Sequence, residues 1–280
     1  MEGVKVDVMS VYGPCNERDD RILYHYTTPE GLISILEGGS IRATDVRYLN
    51  DDHELSVVVA NAKRLIQETG KDDEGKILGI LDSWDTEKMN LFVCSFTESE
   101  DSPCMWKNYA KGNGGYAIGF YQSELEEAAK NCNFRFSKMQ YGDDSIKDKI
   151  SVRDIIMDFA NSKEEQGWKI LQLVRDLVEL LPTTKTDSWR HEAEWRMYKS
   201  YIVEPDSIWP GLPRFRSSAN GIVPYFPIPL QNSQGKRIKP AKIWIGPNEY
   251  RNQKHATIPV HQLLNRLAID RPIPHVCVSR

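Results

Sequence analysis

Apolar residues along the chain alternate between short runs of period two and longer runs of period three to four, which predicts strands interleaved with helices. RILYHYT, residues 21–27, is rich in aromatic and β-branched types and reads as a strand. A helix follows at once: Leu32, Ile35 and Leu36 fall at helical spacing, with Ile33 beside them, and Gly38-Gly39 ends it. Its start has two readings, a capping box of Thr27 with Glu30 or a Thr28 cap with Pro29 in the first turn. IRATDVRYLND reads as an irregular connection, and residues 52–68 as a helix burying Val57, Val58, Ala60 and Leu65. LFVCSFT is a strand bounded by the turn-like ESEDSP. Asp101 or Ser102 then caps a helix that begins at Pro103 and stops at Gly112. GGYAIGF reads as the next strand.

Residues 122–185 read as mostly helical and charged, with EEQGWKILQLVRDLVELL the clearest amphipathic helix, closed by Pro182. EWRMYKSYIV alternates like a strand, Trp195, Met197 and Tyr201 on one face and Glu194, Arg196 and Tyr198 on the other. The proline-rich stretch 204–229 reads as loop or edge strand. AKIWIG is a late strand, HQLLNRLA a late helix and HVCVS a final strand.

With 280 residues, 40% of them hydrophobic, the chain can bury a core as one large α+β domain, 1–280, carrying a mostly helical insertion at about 122–187. Its net charge of −4 argues against an overall electrostatic grip on nucleic acid. The five cysteines are scattered, odd in number and form no CxxC, a poor fit to a disulfide framework or a structural zinc site. No basic start leads into an apolar run, and no stretch approaches a membrane span, so a cytoplasmic protein is the expectation.

Several patterns bear on chemistry. No GxGxxG or phosphate-binding loop is in place, and HExxH is absent. NDDHE, residues 50–54, invites a metal-dependent nuclease through Asn50, Asp51, Asp52 and His53, although such a cluster before an apolar helix also serves as a cap. Cys94 sits inside a strand and Cys104 at a helix start, with no histidine near either in sequence; both read as structural. His25, between Tyr24 and Tyr26, is a core histidine, a metal ligand or part of a cofactor clamp. Trp106 and Tyr109 lie at helical spacing, which for either alone reads as helix core, and Glu192 and Glu194 alternate as on a solvated strand face.

Taken in order, these segments resemble the ADP-ribosyltransferase fold of the diphtheria-toxin and poly-ADP-ribose-polymerase type. Tyr24, His25 and Thr27 match its Tyr-His-Gly-Thr strand, with Tyr26 in place of the glycine. Ser95-Phe96-Thr97 is similar to its Ser-Thr-Ser strand, Trp106 and Tyr109 to its aromatic helix, and Glu194 to its glutamate at the start of a later strand. Glu192 makes a Glu-x-Glu pair. The chain is also similar, over about 22–246, to a bacterial domain-of-unknown-function family, number 2971, in its YHYT, SFT, MW, YA, AIGF and EWR segments.

The resemblance implies an α+β fold with an ADP-ribosyltransferase-like split β-sheet core. It implies NAD as substrate, without a metal, and cleavage of the nicotinamide–ribose bond by a transferase or glycohydrolase. Catalysis would fall to Glu194, with Glu192 orienting the acceptor. Tyr24, His25, Thr27, Ser95, Thr97, Trp106, Tyr109 and Arg196 would bind the cofactor, His25 through a ribose hydroxyl and Tyr109 or Trp106 by stacking on nicotinamide. Arg196 would hold Glu194 or a phosphate. The acceptor stays open among protein, nucleic acid, a small molecule and water, and by analogy of fold the role would be that of a toxin, phage-defence or stress protein. Three rivals stand beside this reading: a catalytically inactive nucleotide-binding or interaction module, the nuclease at Asn50–His53, and a scaffold.

Overall fold

The computed structural model describes residues 20–49, 89–110, 114–141, 181–202, 213–218, 221–248, 253–267 and 275–279, with isolated positions between 60 and 82. The predicted helix over 52–68, the amphipathic run at 164–181 and the Asn50–His53 cluster lie largely or wholly outside these residues. Among them the strands are β1 (Ile22–Thr27), β2 (Ser40–Asp45), β3 (Met89–Thr97), β4 (Tyr116–Tyr121), β5 (Arg135–Lys138) and β6 (Gln140–Tyr141). The later strands are β7 (Thr184–Lys185), β8 (Glu194–Ile202), β9 (Arg214–Ser218), β10 (Gly221–Pro229), β11 (Lys242–Ile245) and β12 (His275–Val278). Among the described residues the continuous α-helices are α1 (Pro29–Gly38), α2 (Pro103–Tyr109), α3 (Gln122–Asn131) and α4 (Gln253–Arg266).

Local chemistry sets the helix ends. Thr28, extended at φ −82°, caps α1 by accepting from the Gly31 amide at 3.3 Å, and Gly39 closes it in the left-handed conformation at φ 59°. Of the two predicted starts, the Thr28 cap is the one formed. Leu32, Ile35 and Leu36 are buried as the spacing implied, while Ile33 stays exposed. At α2, Ser102 occupies the cap position without a side-chain bond, and the Asp101 carboxylate accepts from Trp106 Nε1 at 2.6 Å instead.

Ten strands form one sheet in the order β12-β11-β4-β1-β3-β2-β10-β9, with β8 paired to β3 and β5 to β8. Every pairing in it is antiparallel except β11 with β12. β8 takes one edge of β3 along its full length, from Met89↔Ile202 to Thr97↔Glu194. The opposite edge is divided. β1 pairs there at Tyr24↔Thr97 and β2 at Phe92 and Val93. Continued, either register would claim Ser95, so β1 and β2 must diverge, and the sheet splits beside Cys94, Ser95 and Phe96. The split β-sheet expected from the resemblance is present.

Three segments differ from the sequence reading. IRATD is a strand, not an irregular connection, because Ile41 and Ala43 alternate into the core while Arg42 and Thr44 turn the other way. Within the predicted helical insertion, Gln122–Asn131 is a helix but 135–138 is a strand, which Phe136 pins against Trp195 at 5.4 Å. The proline-rich β10 lies inside the sheet. It pairs with β9 over 221–225 and with β2 over 225–229, so Pro224, Pro227 and Pro229 each sit where one side of the strand carries no ladder.

The core lies on the α1 and α3 side of the sheet, around Leu23, Phe92, Phe96, Phe120, Leu125 and Met197. A second cluster on the opposite side joins Tyr24 and Tyr26 of β1 to Met105 and Trp106 of α2 and to Ala110 just past its end. Trp106 meets Tyr26 edge-on at 4.6 Å, and its ring lies so close to Gly246 that a Cβ there would stand 2.8 Å from it.

Candidate active site

A cavity of about 470 Å³ opens at the split, within the range of small-molecule sites. One wall is β1 and α2, the floor is β3 and β8, and the other wall is β2 with β9. Strand alternation places Ser95 and Thr97 of β3 on the same face as Arg196 and Glu194 of β8, since these residues are direct pairs.

Four charged side chains form the floor: Lys185, Glu192, Glu194 and Arg196 are 5%, 1%, 4% and 2% exposed. Arg196 donates to Glu194 from Nε at 2.6 Å and from Nη2 at 3.2 Å. Lys185 Nζ lies 2.7 Å from Glu194 Oε2 and 2.8 Å from Glu192 Oε2. The Tyr109 hydroxyl donates to Glu192 Oε1 at 2.5 Å. Burial alone would raise the Glu194 pKa, but Arg196 and Lys185 outweigh it and hold the carboxyl at about 2, so it is ionised at neutral pH.

Glu192 does not share a strand with Glu194, contrary to the alternating pair read from sequence. It ends a 3-10 turn, Asp187–Glu192, and Ala193 follows in the left-handed conformation at φ 43°. That turn aims both carboxylates at Lys185 at the cost of about 1–2 kcal/mol of backbone strain. Thr97 Oγ1 supports it by donating to the Glu192 carbonyl at 2.5 Å, and the Tyr141 hydroxyl accepts from the Glu194 amide at 2.8 Å.

His25 sits in the split itself. Its Nδ1 is 3.0 Å from the Ser95 carbonyl, which can only accept, so Nδ1 carries the proton. Burial lowers the imidazole pKa despite that bond, leaving a neutral ring whose Nε2 is a hydrogen-bond acceptor. Across the cavity Arg42 lies 5.1 Å from the Tyr225 ring and donates to Ser34 at 2.7 Å. Burial and the neighbouring Arg42 both lower the Arg216 pKa. Among the described residues neither arginine has a carboxylate partner, so this wall suits an anionic group.

Of the residues singled out in the sequence, Tyr24, His25, Ser95, Tyr109, Glu192, Glu194 and Arg196 line the cavity. Arg196 holds Glu194, one of its two expected roles. Thr97 does not line the cavity and instead donates to the Glu192 carbonyl. Trp106 is buried against Tyr26, outside the cavity, and Thr27 packs against Gly31 at the start of α1. Cys94 lies at the floor in a strand, and burial, reinforced by Glu194, pushes its thiol pKa up. In the basic stretch 235–242, Arg237 donates to the Leu36 carbonyl and Lys242 bonds Glu100 at 2.6 Å. Lys185, Arg42 and Arg216 were not legible as site residues: no motif marks them, and they reach the cavity from three separate strands, β7, β2 and β9. No group of three His, Cys, Asp or Glu side chains is placed to hold a metal among the described residues, and no helix among them is long and apolar enough to cross a membrane.

Residues 105–197 match the family described as protein of unknown function, DUF2971. That segment carries Tyr109, Lys185 and the whole Glu192–Arg196 run, but not His25. No curated protein matches the chain. Among solved structures it is similar to DarT of Thermus sp. 2.9 in complex with ADP-ribosylated single-stranded DNA, at 12% identity and a TM-score of 0.33, with 94% of this chain and 95% of that chain covered.

Proposed function

We propose that the cavity binds NAD and cleaves its nicotinamide–ribose bond, as an ADP-ribosyltransferase or NAD glycohydrolase. The observation that carries this reading is an ionised Glu194 at the floor of the split, facing a wall that holds a neutral His25 with an accepting Nε2. The motif pattern of Tyr24-His25, Ser95-Phe96-Thr97 and Glu194 supports it, as does the size of the cavity.

Breaking the glycosidic bond develops positive charge on the ribose carbon and ring oxygen, and a fixed carboxylate stabilises it. Glu194 is suited to this because it is charged at neutral pH and cannot swing. Arg196 takes two of its roughly four lone-pair directions and Lys185 a third, leaving one for a ribose hydroxyl. Nε2 of His25 would accept from a second ribose hydroxyl. The phosphates would lie toward Arg42 and Arg216, and the Tyr109 ring would contact nicotinamide. Glu192, bonded to Tyr109 and Lys185, would position both. Nicotinamide leaves as a neutral base, so its departure needs no general acid.

The test is nicotinamide release from NAD by wild type and by Glu194→Gln at matched folded concentration. Loss of one well-aimed electrostatic group costs about 100–1000-fold in rate, and a variant that keeps wild-type turnover would defeat the assignment. A second reading, a nucleotide-binding module without chemistry, is favoured by the double pairing of Glu194. It requires NAD binding by titration with no turnover in the wild type.

A further inference from the structure

Cys104 and His191 are 87 positions apart in sequence, yet Cys104 Sγ lies 3.3 Å from His191 Nε2. Nδ1 of the same imidazole is 3.0 Å from the Ser188 carbonyl, an acceptor only, so Nδ1 carries a proton and Nε2 is turned toward sulfur. The ring is further held by Trp189, stacked at 6.2 Å with 24° between planes. Asn108, one turn along α2, donates its amide to Sγ at 3.5 Å. A nucleophile, a base within reach of it and a group that orients the base are therefore linked by hydrogen-bond distances, and Asn108 supplies a donor for the developing thiolate. Cys104 is half-buried and His191 exposed, so the sulfur is open to small molecules. The pair borders the cavity, because Asn108 and Trp189 both line it.

We infer that Cys104 and His191 form a nucleophile–base pair on the cavity rim, a covalent modification site for α,β-unsaturated carbonyl compounds. The thiol proton passes to His191 Nε2 as sulfur bonds the β-carbon. The electron pair of the carbon–carbon double bond moves to the enolate, and the imidazolium returns the proton to the α-carbon. Nothing leaves and no oxidant is needed. The inference does not depend on what the cavity binds.

N-ethylmaleimide, which belongs to this class, is the probe. Labelling of the intact protein at pH 7 is followed peptide by peptide by mass spectrometry. An ordinary thiol is only a few per cent thiolate at this pH, so an assisted Cys104 is expected to react about tenfold faster than the half-buried Cys132 and Cys277 of the same molecules. His191→Gln is expected to slow Cys104 by about the same factor while Cys132 and Cys277 keep their rates, which also shows that the variant is folded. Cys104 labelling no faster than the other two, or unchanged by His191→Gln, would overturn the pair.

Discussion

On one face of β8, Trp195 and Met197 pack among Phe96, Phe136 and Cys94; on the other, Glu194 and Arg196 are nearly as inaccessible as Met197. The two faces are closed by different physics. Full burial of a side chain such as Met197 stabilises by about 1.5–3 kcal/mol through removal of apolar surface from water. The charged face loses several kcal/mol per ion on desolvation and recovers it only through mutual pairing. One face would tolerate another apolar residue of similar volume. The other holds a set of charges that stand or fall together, which is how a site is built rather than how a core is filled.

The comparison predicts different responses to truncation. Arg196→Ala leaves Glu194 buried with Lys185 alone and is expected to destabilise by about 3–5 kcal/mol, read from the urea midpoint at pH 7. Met197→Ala, one residue along, is expected to cost about 2–5 kcal/mol. The two are separated by pH. The Glu194 carboxyl falls from its ordinary value of 4.5 to about 2 in the folded protein, so the unfolded chain binds more protons between those values. Its contribution is complete above about pH 4.5 and disappears as pH falls through about 2. Thermal unfolding across this window should show a steep acid limb in the wild type and in Met197→Ala, and a shallower one in Glu194→Gln. Equal limbs in all three would mean that the charged face adds no linkage of its own.

The smallest effect concerns how the floor is braced. Thr97→Val removes the donor to the Glu192 carbonyl while keeping side-chain volume, and is expected to cost about 0.5–1.5 kcal/mol. A loss of NAD turnover in this variant well beyond that fall in stability would mean that the position of Glu192 matters to the chemistry.

Much of the scaffold was legible because it rests on local rules. A threonine cap at Thr27 or Thr28, the Gly38-Gly39 stop, the Leu32, Ile35 and Leu36 stripe and the alternation of β8 each follow from residues a few positions apart. β2 was missed because only two of its residues face the core, and β10 because its prolines are tolerated by a change of partner halfway along the strand. His25 and Glu194 were legible as candidates. Helix core was one reading of both Trp106 and Tyr109, but that Trp106 packs while Tyr109 faces the cavity was not legible, since a buried aromatic and a cavity aromatic have the same helical spacing.

The amino-acid order by itself determined which residues alternate on β8, that a helix starts at one of two threonine caps and ends at Gly38-Gly39, and that an aromatic-flanked histidine lies near the end of the first strand. Only the tertiary structure decided that the polar face of β8 is buried rather than solvated, because that depends on Lys185 and the Asp187–Glu192 turn arriving over it. It decided likewise that Cys104 meets His191 across 87 residues. Periodicity reports that two faces differ; which of them water reaches is set by what the rest of the chain lays across each.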